Sequence, residues 1–323
     1  MRVVQAFKLV RKWWSTWRTL PVWSWVRAAA AYRAGNFGAA ERFYRQGLKD
    51  HPLHPAHFCA RLDLSYCLFK AGKIDDAEQQ LRYVTTNMPT SREAHLRLAR
   101  LQMWSGKSLE AAWTIRRALR YLEVDAELGA IFLMAVLDNG GPSYLLQEAI
   151  EAARRIEGEA PRLLAALARL DIHQGRAEAG REALGSLASE ADAPFEAILL
   201  YGEALLDEGK IAHARRQLRR ALAAAPDYPR VLSLLASSYL KSGPFYNAEY
   251  ARQLASNACQ VTNWSSPRDM HVLAEAYYHT GDKISALVVA SKAKQAGNRL
   301  LGSYRDARML DQLIESLSTG TQA

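Results

Sequence analysis

Apolar residues fall at three- and four-residue steps along most of this chain, in short blocks broken by glycine and proline. That period belongs to the α-helix. Residues 195–226 show the unit most clearly. Their first block puts Ile198, Tyr201, Gly202 and Leu205 on one helix face. Gly209 follows at a turn, where a residue free to take positive φ closes the helix. The second block aligns Ile211, Ala214, Leu218, Ala221 and Leu222, and Pro226 stops it. The small residues Gly202, Ala214 and Ala221 let two helix backbones pack closely. A helical hairpin is therefore predicted here.

The unit recurs. Turn glycines stand at Gly35, Gly72, Gly106, Gly141, Gly175, Gly209, Gly243 and Gly281, separated by 37, 34, 35, 34, 34, 34 and 38 residues. Five residues after most of them comes a small side chain: Ala40, Ala77, Ala111, Gly180, Ala214, Ala248 or Ala286, with Leu146 the exception. Pro52, Pro89 and Pro226 fall where second helices should end. This order of small, large, glycine, small, large and proline resembles the 34-residue tetratricopeptide repeat. The chain departs from the family pattern at Ile198, where Trp is usual, and at Leu218, where an aromatic is usual. Both swaps keep the packing class. The resemblance covers about residues 21–300. It implies an all-α fold, a right-handed superhelical solenoid of about eight helix pairs. It says little about function, because the family is defined by packing and not by chemistry.

Core positions follow from the repeat. The first unit, about residues 21–52, carries Trp23 and Trp25, then Phe37, Ala40, Tyr44 and Leu48. The second, about 56–89, carries Leu64, Ser65 and Leu68, then Ile74, Ala77, Leu81 and Val84. Leu98 and Ala99, then Ala111, Ile115, Ala118 and Leu119, belong to the third. In the fourth, residues 130–137 (AIFLMAVL) are apolar on every side, so that helix is buried all round or meets a partner. A Gly-Pro pair marks the seventh turn at Gly243-Pro244, with its second helix running to about Val261 and a loop over 263–267. The eighth unit offers Leu273, Ala274 and Tyr277, then Ile284, Ala286, Ala290 and Ala293. A closing helix is expected over 303–317, within a capping segment of 301–318, with Ser303 and Asp306 as its capping box. Residues 319–323 read as a disordered tail.

Composition changes this picture in one place. The chain has 323 residues, 49% of them hydrophobic, which suits a continuous core between helix pairs. Its three cysteines are too few and scattered to staple the fold, so they read as free thiols of a reducing compartment. The net charge of +9 is uneven: residues 1–33 hold seven basic side chains and no acid, leaving +2 for everything after. A nearly neutral body argues against nucleic acid as a partner. Residues 1–20 form a predicted amphipathic arm. Val3, Phe7, Val10, Trp14 and Trp17 share one face with Ala6 and Trp13 at its flank, while Lys8, Arg11, Lys12, Ser15, Thr16 and Arg18 cover the other. Charges interrupt the arm too often for a secretory signal or a membrane span. Its composition instead predicts reversible attachment to an anionic membrane, at the cytoplasmic face, through Phe7, Lys8, Val10, Arg11, Lys12, Trp13, Trp14, Trp17 and Arg18. The competing expectation is that the arm's tryptophans pack onto Trp23 and Trp25 as a cap.

No phosphate loop, dinucleotide fingerprint, zinc-protease motif or paired CxxC occurs. His51, His54 and His57, with Cys59 nearby, are residue types that zinc accepts, but Pro52 and Pro55 interrupt them and their spacing matches no common site. They read as a polar linker, and no metal or cofactor is expected. Carboxylate pairs such as Asp75 and Asp76, or Glu196 and Glu203, read as solvated faces, so no catalysis is expected. The resemblance implies instead a concave groove lined by the first helix of each pair. Carried onto this chain, its positions hold Leu62, Tyr66 and Phe69, then Leu96, Arg100, Met103 and Trp104, then Arg162 and Arg169. Later repeats add Glu196, Glu203 and Asp207, then His271, Glu275 and Tyr278. The Lys and Asn with which chaperone-binding relatives clamp a C-terminal carboxylate do not recur. The expected function is a non-catalytic scaffold or adaptor holding a protein partner in that groove. The alternative is a soluble assembly factor or chaperone whose N-terminal helix packs on itself or on a partner.

Overall fold

A computed structural model describes residues 22–139, 142–300 and 306–319. Among them are seventeen helices and no strand. In chain order they are α1 (Trp23–Arg33), α2 (Phe37–Asp50), α3 (His57–Lys70), α4 (Ile74–Asn87), α5 (Arg92–Trp104) and α6 (Ser108–Ala118). Next come α7 (Ala126–Asn139), α8 (Ser143–Arg154), α9 (Pro161–His173), α10 (Ala177–Ser189), α11 (Phe195–Asp207) and α12 (Ile211–Ala224). The last are α13 (Pro229–Leu240), α14 (Ala248–Val261), α15 (Pro267–His279), α16 (Lys283–Gly297) and α17 (Ala307–Thr319). The arm of residues 1–20, with the side chains expected to meet a membrane, Gly141, Ser303 of the expected capping box and residues 320–323 lie outside the described residues.

The chain divides into two compact units, Met1–His95 and Leu96–Ala323. In the first, α1 packs on α2, α2 on α3 and α3 on α4. In the second, consecutive helices from α6 to α8 and from α9 to α17 pack on one another. There the first helices of successive pairs also lie side by side: α7 on α9, α9 on α11, α11 on α13 and α13 on α15. One inner face is thus built from α7, α9, α11, α13 and α15.

A single turn chemistry generates the pairs. Gly209 takes φ +83°, and beyond it the Lys210 amide donates to the Leu205 carbonyl at 2.9 Å, closing α11 with a Schellman bond. The same bond recurs from Asn36 to Ala31, Lys73 to Leu68, Lys107 to Gln102, Arg176 to Asp171 and Asp282 to Tyr277. Each small residue of the second helices then sits where two backbones meet. Ala40, Ala77, Ala111, Ala214 and Ala286 are fully buried. At Gly180 a Cβ would stand 2.4 Å from the Ala168 carbonyl oxygen, and at Gly202 one would stand 3.0 Å from the Leu218 side chain. The two sites therefore differ. A side chain such as Leu218 can yield, whereas a backbone carbonyl inside α9 cannot. Gly180→Ala is expected to part α9 from α10 and cost about 1–3 kcal/mol, less the fraction of a kcal/mol alanine returns as a better helix former. Gly202→Ala should cost less. Urea midpoints of the two variants check the order, and Gly202→Leu or Ala214→Phe should be worse than either alanine change.

Most expected core positions are buried or half-buried; the exceptions are Trp23, which is 74% exposed, and Ile284. Residues 130–137 are buried along their whole length, so the helix apolar on every side is enclosed by its own unit. In α8 the fully buried side chain is Leu145, while Leu146 is only half-buried, so the fourth unit runs one residue ahead of the spacing rule. Ile284 is 76% exposed, not core. Ile74 and Ile211 follow their turn glycines by two residues, whereas Ile284 follows Gly281 by three. That extra residue turns it about 100° off the inward face, which Ala286, Val289, Ala290 and Ala293 fill. The closing helix begins at Ala307 and includes Thr319, which had been assigned to the tail.

Candidate functional site

In the second unit, the inner face carries a seam of ion pairs. Glu127, Arg162, Glu196, Arg230 and Arg268 occupy the first turn of α7, α9, α11, α13 and α15. Charges therefore alternate from helix to helix until two arginines end the row. Arg100 and Arg162 both reach the Glu127 carboxylate, Arg162 at 3.0 Å, and Arg162 also meets Glu196 at 3.3 Å. Seven residues further along their helices, Arg169 and Glu203 begin a deeper row. Asp138 receives Arg169 at 2.6 Å and Arg230 at 2.7 and 2.9 Å. Glu203 bridges the same two guanidiniums, touching Arg230 directly and Arg169 at 3.8 Å. Ser108 adds a longer hydroxyl bond to Asp138 at 3.4 Å.

Asp138 lies at the C-terminal end of α7, where the helix dipole opposes a negative charge. Burial also opposes it. The guanidiniums of Arg169, Arg230 and Arg268 outweigh burial and hold its carboxyl well below the usual aspartate range. Burial works against the charge of Arg230, and Asp138 and Glu203 outweigh it, raising the guanidinium above the usual arginine range. Both are reciprocally committed ions.

The seam encloses a cavity of about 80 Å³ lined by Ser108, Asp138, Arg169, Glu203, Arg230 and Arg268, among others. A Cβ on Gly106 would lie 2.8 Å from the Ser266 hydroxyl, so the α5–α6 turn meets the start of α15 beside it. An α-helix with side chains is about 10 Å across, and this cavity cannot admit one. Arg169 is almost wholly buried there. Arg100 and Arg162, with side chains 45% and 46% exposed, sit at the rim. Leu96 is only 1% exposed and packs in the core beside Ala99, while Met103 and Trp104 are half-buried. On α15, His271 is buried, 3.6 Å from Glu275, and burial pushes its imidazole down to about 4.

The first unit presents a different surface. Tyr66 of α3 stacks near Tyr32 at 5.4 Å, Phe37 at 5.8 Å and Phe69 at 6.5 Å. Lys70 Nζ sits 5.7 Å from the Tyr66 ring. With Leu62 these rings form a half-buried aromatic strip across α1, α2 and α3. Tyr32 and Phe37 were not among the expected groove residues. The signal for Tyr32 was present, since Tyr32, Tyr66 and Arg100 stand 34 residues apart. Asp138, Arg230 and Arg268 were also missed, although Arg162, Glu196 and Arg230 share the same interval.

The histidine linker is occupied by its own turn. His54 Nδ1 accepts from the Ala56 amide at 3.1 Å, His57 Nδ1 meets the His54 carbonyl at 2.8 Å, and the His54 ring stands edge-on to Trp25. Among the described residues no three His, Cys, Asp or Glu side chains gather as a metal site. No helix there is long and apolar enough to cross a membrane.

Two stretches of the chain, residues 31–85 and 195–238, match family models described as tetratricopeptide repeat. No curated protein matches as a relative. Among solved structures, the chain is similar to a tetratricopeptide repeat protein from Parabacteroides merdae, with 12% identity, a TM-score of 0.51, and coverage of 91% of this chain and 97% of that one. It is also similar to the Cut9-Hcn1 hetero-tetramer of APC/C, with 11% identity and a TM-score of 0.68 over 92% of this chain, spanning only 63% of the matched chain. A monomeric mutant of IFIT1 with Gppp-AAAA matches at 11% identity and a TM-score of 0.54, over 90% of this chain and 71% of that one. At these identities the likeness concerns the fold alone. Helix pairs closed by one repeated glycine turn, and matched by repeat models over residues 31–85 and 195–238, support the tetratricopeptide repeat as the unit from which this chain is built.

Proposed function

We propose that the protein is a non-catalytic scaffold whose partner is another protein, held on the inner faces of its repeats. The observation that carries this reading is the aromatic strip of Tyr32, Phe37, Tyr66 and Phe69, with Lys70 at its edge. Tyrosine, with arginine, is among the side chains that dominate binding energy at protein interfaces. Leu62 belongs to the same surface. The rim arginines Arg100 and Arg162, with Met103 and Trp104, are the contacts proposed on the second unit. Arg169 and Leu96 act from inside, holding the surface in shape. The membrane reading of residues 1–20 belongs to the same proposal. Phe7, Val10, Trp13, Trp14 and Trp17 enter the interface, Lys8, Arg11, Lys12 and Arg18 meet anionic headgroups, and the scaffold works at the cytoplasmic face.

Tyr66→Ala with Phe69→Ala tests the groove. The pair should weaken the main partner roughly 30-fold, the scale of one interfacial hot spot of about 2 kcal/mol. Affinity purification of the intact chain and this variant, compared by mass spectrometry and followed by titration of the retained protein, reads the effect. A variant that keeps every partner at full affinity, with an unchanged helical spectrum, would refute the groove.

A further inference from the structure

We infer that the outward face of α1 is a lipid-contacting surface, and that its ligand is an anionic bilayer. This rests on the membrane reading of residues 1–20 and extends it into the folded body. Trp23 is 74% exposed and Val26 43%, and Ala30 continues their row at the next helical step. The core makes no use of them. Trp25, about 200° around the helix from Trp23, is the tryptophan that turns inward. A Cβ on Gly47 would stand 2.3 Å from its indole nitrogen, and its ring meets His54. Val22 and Ala28 complete that buried side. Trp23 and Trp25 are therefore not one platform; only Trp25 belongs to the core.

Charge selects the occupant. α1 carries no acid, and Arg27 and Arg33 are exposed beside the apolar row. Arg27 lies over the Phe43 ring at 4.4 Å, and Arg33 Nε donates to the Ala29 carbonyl at 3.3 Å, so each side chain is tethered while its helix stays positive. Residues 1–50 hold ten basic and two acidic side chains, which leaves the rest of the chain a net +1. One of the two acids, Glu41, is already paired with Arg45 and Lys73. If the arm folded back on α1, its Arg2, Lys8, Arg11, Lys12 and Arg18 would meet Arg27 and Arg33. A second copy of α1 would bring the same charges. An anionic surface matches arm and helix together. Indole is favoured there because its ring is apolar while its N–H still reaches water.

The test uses the full chain. Val26→Cys is labelled with a polarity-sensitive dye in a Cys59→Ser background, since Cys67 and Cys259 are buried and Cys59 is not. Phosphatidylcholine vesicles with and without phosphatidylserine are the probes. The expected result is a blue shift with the anionic vesicles only, reversed by salt. The unlabelled Trp23→Ser, Val26→Ser chain should bind those vesicles roughly tenfold more weakly with its melting temperature unchanged, because neither side chain serves the core. A silent dye on a chain that floats with anionic vesicles would overturn the inference and leave the arm as the sole anchor. A chain that floats with neither vesicle defeats the membrane reading itself, and the inference with it. Emission already blue in buffer that reddens when residues 1–20 are deleted would assign the face to the arm. A shift with soluble polyglutamate but not with vesicles would assign it to an acidic protein.

Discussion

Replacing Asp138 by alanine is expected to cost about 3–5 kcal/mol of folding stability, the scale of breaking a buried ion pair from one side. The side chain is buried and holds two guanidiniums that are themselves nearly out of water, Arg169 and Arg230. Without it, Glu203 alone faces both, and one cation is left without its counter-ion. The loss should fall on the second unit, because Asp138 links α7 to α13 across 92 residues of sequence. Local helix pairs can survive that loss, since each repeat is stabilised chiefly by its neighbours. Urea unfolding at neutral pH should therefore show a lower midpoint and a broader transition, with much of the helical signal retained early. Asp138→Leu with Arg230→Met is the control. It removes one charge of each sign, leaves Arg169 opposite Glu203, and should recover most of the stability. A single variant that unfolds like the native chain would show the seam to be hydrated and dispensable.

The repeat was legible because everything it needs is local. A Schellman bond spans six residues, a small residue recurs five after all but one of the turn glycines, and neighbouring helices are joined by a few residues of loop. The exceptions are phase errors of one residue. Leu145 displaces Leu146 in the fourth unit, and Ile284 points outward because it stands one residue beyond the position that Ile74 and Ile211 take after their glycines. Half of the candidate site was legible on the same terms. Tyr66, Phe69, Arg100 and Arg162 were found by repeat position, and the 34-residue interval could have added Tyr32 and Arg230. The closure of the inner face was not. Gly106 and Ser266 are 160 residues apart, and nothing local to either predicts that they touch. That closure turns Arg169 from a groove contact into a buried structural ion.

Between pH 6.5 and 4 the chain is expected to lose about 3 kcal/mol of stability to one imidazole. His271 lies on the inner side of α15, only 3% exposed, and burial lowers its folded value from 6.5 to about 4. A shift of one unit corresponds to about 1.36 kcal/mol. Because the folded value is the lower one, the unfolded chain takes up its proton first as the pH falls. The contribution is complete above the unfolded value of 6.5 and is spent once the pH passes the folded value of about 4. Glu275, 3.6 Å away, works in the opposite sense. Burial raises its carboxyl above the ordinary range, so the folded chain protonates it first and recovers part of the loss. Asp138 is separate, because its depressed carboxyl begins to cost stability only below the ordinary aspartate value. Two variants resolve these contributions in urea titrations across the window. His271→Gln should flatten the fall in stability between pH 6.5 and 4, and Glu275→Gln should steepen it. If His271→Gln leaves the slope unchanged, the imidazole is hydrated in the folded chain and the acid sensitivity has another source.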